Sequence, residues 1–354
     1  MKLADLTNRA GEWLGGGGSM PDVVISSRIR LARNIAGVPF LSRSTPQQQE
    51  EIENRLREDV LSCGLEDVFY VDVNAAGEMD RQLLVERHLI SRQHAQAKHP
   101  RGVAIGSNET VAVMVNEEDH LRLQVLRAGL QLDEAWELIN HIDDQIEHRV
   151  PYAFHSRLGY LTACPTNVGT GMRVSVMLHL PALKMTGEIE KAFRAAVDLR
   201  LEIRGLFGEG TEATGDFFQI SNQTTLGKSE GQILEDFRDN YVPQFVAYER
   251  KARESLMSRK RPAVDDKIFR AMAILESARL MSSEETMYLL SLARLGVNLG
   301  RVNTIDMPTI NELFLLTQPA HLQKLTKKMS AQQRAKTRAD YIRRRLEQGA
   351  GPGK

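Results

Sequence analysis

At 354 residues the chain is too long for one typical domain and suits two. Lys+Arg and Asp+Glu each total 46, so the formal net charge is zero and no global field marks a nucleic-acid binder. Its two cysteines, Cys63 and Cys164, exclude a disulfide framework and sit in no metal-ligand spacing; with no long apolar run either, the chain reads as soluble and cytoplasmic.

The opening "MKLADLTNRAGEWLGGGGSM" lacks the apolar core of a signal peptide, and its four glycines predict a flexible leader over residues 1–20. "VVISSRIRLARNI" reads as an extended start followed by an arginine-rich turn or helix. A helix start follows in "STPQQQEEIENRL", with Thr45 as N-cap, Pro46 in the first helical position and Gln48 completing a capping box. "VAIGSNETVAVMV" predicts a hairpin turning at Ser107 and Asn108, with Val111, Val113 and Val115 on one face. "DEAWELINHIDDQIEHRV" predicts an amphipathic helix on Ala135, Leu138, Ile139, Ile142 and Ile146. Strands are predicted at "RVSVMLHL" and "LRLEIRGL", separated by a helix near 188–198. Beyond about residue 227 the strand signal stops: helices follow, interrupted at Pro243 and hinged at Ser282, with two or three more before the C-terminus. The expected architecture is α+β: an antiparallel sheet flanked by helices over 21–255, then an all-helical domain over 256–354.

Five arginines stand beside turns or element ends: Arg28 and Arg30 in "SSRIR", Arg122 in "EEDHLR", Arg173 in "GTGMR" and Arg204 in "RGLFGEG". A planar guanidinium stays charged and binds phosphate oxygens in pairs, so convergence of the five predicts a polyphosphate ligand without a P-loop. The carboxylates Glu117, Glu118 and Asp119 either start a helix or form a cation site or general base. Glu209, between two glycines, places another carboxylate on a loop able to close over a substrate. Cys164 precedes a proline, where a cysteine is usually a small hydrophobe; beside arginines, however, its thiolate is favoured and can pair with a cationic substrate. His88 can stack on a base or fill a surface groove.

In order, "SSRIRLARN", "VNEEDHLR", "CPTNVGTGMR", "RGLFGEG" and "QISNQTTLG" resemble the catalytic domain of the phosphagen (guanidino) kinases over roughly residues 21–250. That resemblance implies ATP, with Mg2+ on its phosphates, bound by Arg28, Arg30, His88, Arg122, Arg173 and Arg204. The motif neighbours Ser26, Ser27, Ile29, Val174, Ser175, Val176, Met177, Gly205, Leu206, Phe207, Gly208 and Glu209 complete the implied nucleotide site. It also implies Glu118 and Glu209 gripping a substrate guanidinium, Cys164 facing it and Glu118 as the base, while the glycine turn lets Arg173 approach the nucleotide.

Only about 25 residues precede "SSRIR", where kinases of free guanidines carry a helical domain, and Gln219 stands where they usually have aspartate. Both features are similar to the bacterial protein-arginine branch of the family, which phosphorylates arginine side chains and marks proteins for Clp protease in stress. The resemblance implies a homodimer, a Clp chaperone or protease and a zinc-binding activator as partners, and an allosteric phosphoarginine pocket at an "RDxxRA" signature. Here that stretch reads "RAKTRA", keeping Arg334 and Arg338 but placing Ala335 where the acid belongs. A small-molecule guanidino kinase, or a non-catalytic regulator of Clp or a repressor, is the alternative.

Overall fold

The computed structural model describes residues 3–8, 10–65, 67–106, 108–205, 214–326 and 329–349. Its centre is the stretch read as a strand giving way to an arginine-rich turn, which instead forms one ten-residue strand, β1 (Val24–Arg33). The reason is tertiary: neighbours pair along almost its whole length on both sides, and Ile29 and Leu31 alternate with Arg28 and Arg30, so each face has a use.

The other strands are β2 (Phe69–Asp72), β3 (Gly102–Ile105), β4 (Val111–Val115), β5 (Leu121–Ala128), the short hairpin β6 (Phe154–His155) and β7 (Gly159–Tyr160), β8 (Met172–His179), β9 (Leu201–Gly205) and β10 (Phe217–Asn222). Among the described residues, eight of them form one sheet in the order β2-β3-β4-β5-β1-β8-β10-β9, and its pairings are all antiparallel. Helices α1 (Pro46–Leu61) and α4 (Leu132–Glu147) pack on one face, the face to which Ile29, Leu31, Val174 and Val176 contribute. Thr45 makes the expected capping box with Gln48, and α4 buries Ala135, Ile139, Ile142 and Ile146 as its periodicity predicts. Arg33 lies on this inner face too; its charge is met by Asp143 of α4 at 2.7 Å, and its guanidinium lies 3.6 Å from the Tyr160 ring centroid.

On the opposite face, α2 (Glu78–Glu86) and α3 (Arg92–Gln96) cover only the β3–β4 end, through a second apolar cluster that includes Leu84, Leu89, Val103, Ile105 and Met114. The middle of that face, where the arginines stand, stays open. After β8 come α5 (Pro181–Thr186) and α6 (Ile189–Asp198), and after β10 come α7 (Glu230–Glu235), a widened π turn over Asp236–Tyr241 and α8 (Val242–Arg259). Pro243 does not break the chain: it sits in the first turn of α8, where its missing N–H costs least.

The helical C-terminal part comprises α9 (Arg261–Ser277), α10 (Ser283–Asn298), α11 (Met307–Leu316), α12 (Pro319–Thr326) and α13 (Ala331–Gly349). Ser282 caps α10 at the predicted hinge. This part is joined to the sheet by buried polar contacts: Arg294 of α10 donates to the carbonyls of Pro21 and Asp22 at 2.6 and 3.0 Å, and Ser291 meets His179 at 2.8 Å. The expected loose leader is also packed. Trp13 and Leu14 lie in the main core, Glu12 pairs with Arg127 at 2.6 Å, and Ser19 bridges Leu130.

Two histidines of this interior make stability depend on pH. His94 and His179 are fully buried; burial pushes His94 down to about 4, and burial with Arg294 and Arg253 pushes His179 well below its ordinary value. Below about pH 6.5 the unfolded chain takes up protons that the folded chain refuses, so stability falls as pH falls. Moving from about pH 7.5 to 5.5 is expected to cost about 1 kcal/mol per histidine, read as a lower urea midpoint. A midpoint that stays constant across this interval contradicts neutral burial of the two rings.

Candidate active site

Strand alternation and register gather the arginines. Arg28 is paired across the sheet with Ser175 and Arg30 with Arg173; Ser175 and Met177 are paired with Ser221 and Gln219, which are in turn paired with Glu202 and Arg204. Paired residues share a face, so β1, β8, β10 and β9 present one polar surface. Arg122 and Gln124 of β5 continue it beside Ala32 and Arg30. The result is a cleft of about 490 Å³ lined by all five predicted arginines together with His88, Glu118 and Cys164.

The electrostatics of the cleft favour an anion. Burial, then Arg122, Arg173 and Arg204, bring Arg28 down to about 9, and burial with Arg28, Arg122 and Arg173 pushes Arg30 well below its ordinary value. The five cations are held close together with only partial compensation. Glu202 pairs with Arg173 and, at 2.5 Å, with Arg204, while Glu117 pairs with Arg122 at 2.5 Å. Burial alone would raise Glu117, but Arg122 and the Ser91 hydroxyl at 2.6 Å outweigh it and hold it at about 2. Arg28 also donates to Gln219 Oε1 at 2.6 Å, so glutamine here orients an arginine without neutralising it.

The acidic triplet does not start a helix. It occupies the tight loop between β4 and β5, where Asn116 takes a positive φ of 58° and its backbone N–H reaches the His120 carbonyl at 2.9 Å. The three carboxylates then part in role. Glu117 orders Arg122; Asp119 is buried and accepts from Asn34 Nδ2 and from the Ala163 N–H, both at 2.6 Å. That second bond ties the segment carrying Cys164 to the loop carrying Glu118. Glu118 is half-buried, and burial with Asp119 and Glu117 raises it above the ordinary carboxylate value. Cys164 is partly exposed and its Sγ lies 3.0 Å from Thr166 Oγ1.

Several sequence-based expectations need correction. Ser27, Ile29, Val174 and Val176 alternate to the inner face and are fully buried there, so their side chains do not reach the cleft. The glycine turn has a role in the fold: a Cβ on Gly169 would lie 2.2 Å from the Thr225 carbonyl oxygen, and one on Gly171 2.7 Å from that of Ala32. Leu206, Phe207, Gly208 and Glu209 lie outside the described residues, and Gly205 ends β9. Arg334 and Arg338 stand on α13, away from the cleft lining. Arg338 is 3 % exposed, and three of its N–H groups reach the carbonyls of Thr317 and Met281 at 2.9 Å and Ser283 Oγ at 2.7 Å, so it clamps helices here. Sequence reasoning missed Glu202, Gln124 and Ser91; Glu202 alone had a legible signal, two residues before Arg204 on a predicted strand.

Behind the cleft, the end of α2 is locked to α12. Glu86 accepts from the Ala320 N–H at 2.9 Å and meets His321 Nδ1 at 2.9 Å, while Arg87 meets His321 Nε2 at 3.0 Å and Glu109 at 2.5 and 2.6 Å. Burial keeps His321 neutral despite Glu86, which fits a ring donating through Nδ1 and accepting from Arg87 through Nε2. His88, the next residue, is thereby held at a positive φ of 59° on the cleft wall.

Comparison with known proteins agrees with this geometry. Residues 50–252 match the ATP:guanido phosphotransferase C-terminal catalytic domain, and residues 261–354 match the protein-arginine kinase McsB C-terminal domain. A protein-arginine kinase of Halothermothrix orenii is 43% identical over 98% of this chain and 99% of its own, and one of Symbiobacterium thermophilum is 45% identical over 97% and 98%. The chain belongs to the protein-arginine kinase family. Its solved structural neighbours are guanidino kinases. The duplicated taurocyamine kinase of Schistosoma mansoni aligns with 71% of this chain at 25% identity and a TM-score of 0.61, the match spanning 35% of that longer protein. A lombricine kinase aligns with 68% of this chain and 71% of its own at 27% identity and a TM-score of 0.57. Membership in the protein-arginine kinases also accounts for the helical C-terminal part, which the matched C-terminal domain spans. None of the described helices is long and apolar enough to cross a membrane.

Proposed function

We propose that this protein transfers the γ-phosphate of ATP to arginine side chains of proteins, making N-phosphoarginine. The observation that carries the reading is the convergence of Arg28, Arg30, Arg122, Arg173 and Arg204 on one cleft that also holds Glu118 and Cys164. Near-full-length likeness to proteins named protein-arginine kinase supports a protein substrate.

In this reading the triphosphate lies across the arginines, which neutralise charge on the γ-phosphoryl as it moves. The substrate guanidinium enters from the Glu118–Cys164 side. An arginine side chain is a poor nucleophile until it loses a proton, because its lone pairs are delocalised and its pKa lies above about 12. Glu118 accepts that proton; the freed nitrogen attacks the γ-phosphorus, the P–N bond forms and the bond to the ADP oxygen breaks. Asp119 keeps Glu118 and Cys164 in register through the Ala163 bond, and Cys164 faces the guanidinium plane. Among the described residues no group of three or more His, Cys, Asp or Glu is placed to hold a metal ion. In this reading Mg2+ is carried by the phosphate oxygens, where its charge would add to that of the arginines.

The test is a phosphosite map of casein, together with an assay of free phosphoarginine, after incubation with ATP, Mg2+, casein and free arginine, worked up without acid because P–N bonds are acid-labile. Phosphate on casein arginines is the expected result. Phosphate on free arginine alone, or only on serine and threonine, defeats the reading.

A further inference from the structure

The arginines account for the phosphates of ATP; its base needs a flat, largely apolar wall of its own. Arg28, His88 and Gln219, which line the arginine cleft, also line a narrower slot whose remaining walls include Trp13, Leu126 and Met177. Aromatic and thioether surfaces beside the small hydroxyls Ser26 and Ser175 make a lining suited to a flat heterocycle with polar edges. The free space is about 10 Å³, enough for one water at most, so a ring enters only if a wall yields.

Trp13 is the wall with an unmet need. It is 5 % exposed, stands edge-on to His88 with centroids 5.1 Å apart, and its buried Nε1–H has no hydrogen-bond partner among the described residues. A buried indole N–H normally finds one. The chain is shaped around this ring: a Cβ on Gly11 would lie 2.8 Å from an indole carbon, and Leu14 is anchored by Asn311 Nδ2 of α11 at 3.1 Å.

We propose that Trp13 is a specificity-determining residue of the nucleotide site: the purine base of ATP seats against its indole and displaces it from His88. The inference rests on the ATP reading above. Entry of the base opens the slot, and the displaced indole N–H gains access to acceptors that the closed slot denies it.

The chain has two tryptophans, and Trp136 lies on α4, which covers the opposite face of the sheet. In Trp136→Phe, emission therefore reports Trp13 alone. ATP and inorganic tripolyphosphate are titrated into this variant while each is scored separately for occupancy, ATP by turnover and tripolyphosphate by inhibition. The expected result is that both occupy the site and only ATP changes the emission. In the parent chain, Trp13→Leu is expected to raise KM for ATP roughly tenfold with kcat little changed, and Trp13→Phe to recover most of the loss. ATP turnover without an emission change, an equal change with tripolyphosphate, or an unaltered KM in Trp13→Leu overturns the role of Trp13 and leaves ATP binding standing. If neither ATP nor tripolyphosphate occupies the site, the nucleotide reading itself fails and this inference falls with it.

Discussion

Glu118→Gln is expected to lower kcat by about 10²- to 10⁴-fold, the usual worth of a positioned general base, while KM for ATP stays within about threefold. The asymmetry follows from geometry. The arginine side chains are braced without Glu118: Arg122 by Glu117, Arg173 and Arg204 by Glu202, and Arg28 by Gln219. Glutamine keeps the shape and loses only the ability to take a proton. The pH profile makes the test sharper. Burial, Asp119 and Glu117 raise Glu118, and the base works only when ionised, so the parental rate should decline with falling pH from above the ordinary carboxylate range. That limb should be missing from the residual activity of Glu118→Gln. A variant with near-parental kcat would assign proton transfer elsewhere, and the measurement is steady-state kinetics over about pH 5 to 9.

Glu109→Gln is expected to destabilise the protein by about 3–5 kcal/mol, the cost of leaving one partner of a buried ion pair without its counter-charge. Arg87 and Glu109 have fully buried side chains and meet through two bonds of 2.5 and 2.6 Å. The same guanidinium touches His321 of α12, so its loss of register should spread into the helical C-terminal part. His88 follows Arg87 in the chain and lines the cleft, and KM for ATP should therefore rise as well. Urea unfolding checks the first effect and kinetics the second. A loss below about 1 kcal/mol would mean that the pair is no stronger than a surface salt bridge.

How much of this was legible beforehand depended on how local each determinant is. The capping box at Thr45, the amphipathic stripe of α4 and the hinge at Ser282 rest on side chains within a few residues of one another, and all three formed as read. The arginine stretch was misread because local propensity cannot report that β5 and β8 pair along both edges of β1. The leader was misread for the same reason: four glycines look like a hinge until Trp13 and Leu14 find a core made by distant segments. The motif residues of the cleft were nameable in advance, but which of them face it was set by the two-residue period. Alternation removed Ser27, Ile29, Val174 and Val176 from the cleft while keeping Arg28, Arg30 and Arg173.

The sequence by itself determined the kinds of group present, which are guanidinium groups, carboxylates and a thiol beside turns and element ends, and an α+β body followed by helices. Those are properties of residue type and periodicity, which need no fold to be read. Only the tertiary structure decided the division of labour within "NEED". Glu117 orders an arginine, Asp119 ties two loops together and Glu118 is left half-buried among like charges. It alone decided, too, that Arg338 clamps helices and that Trp13 stands beside the arginine cleft. A side chain's task depends on its burial, on the partners that reach it and on the charges around it. Segments far apart in the chain supply all three.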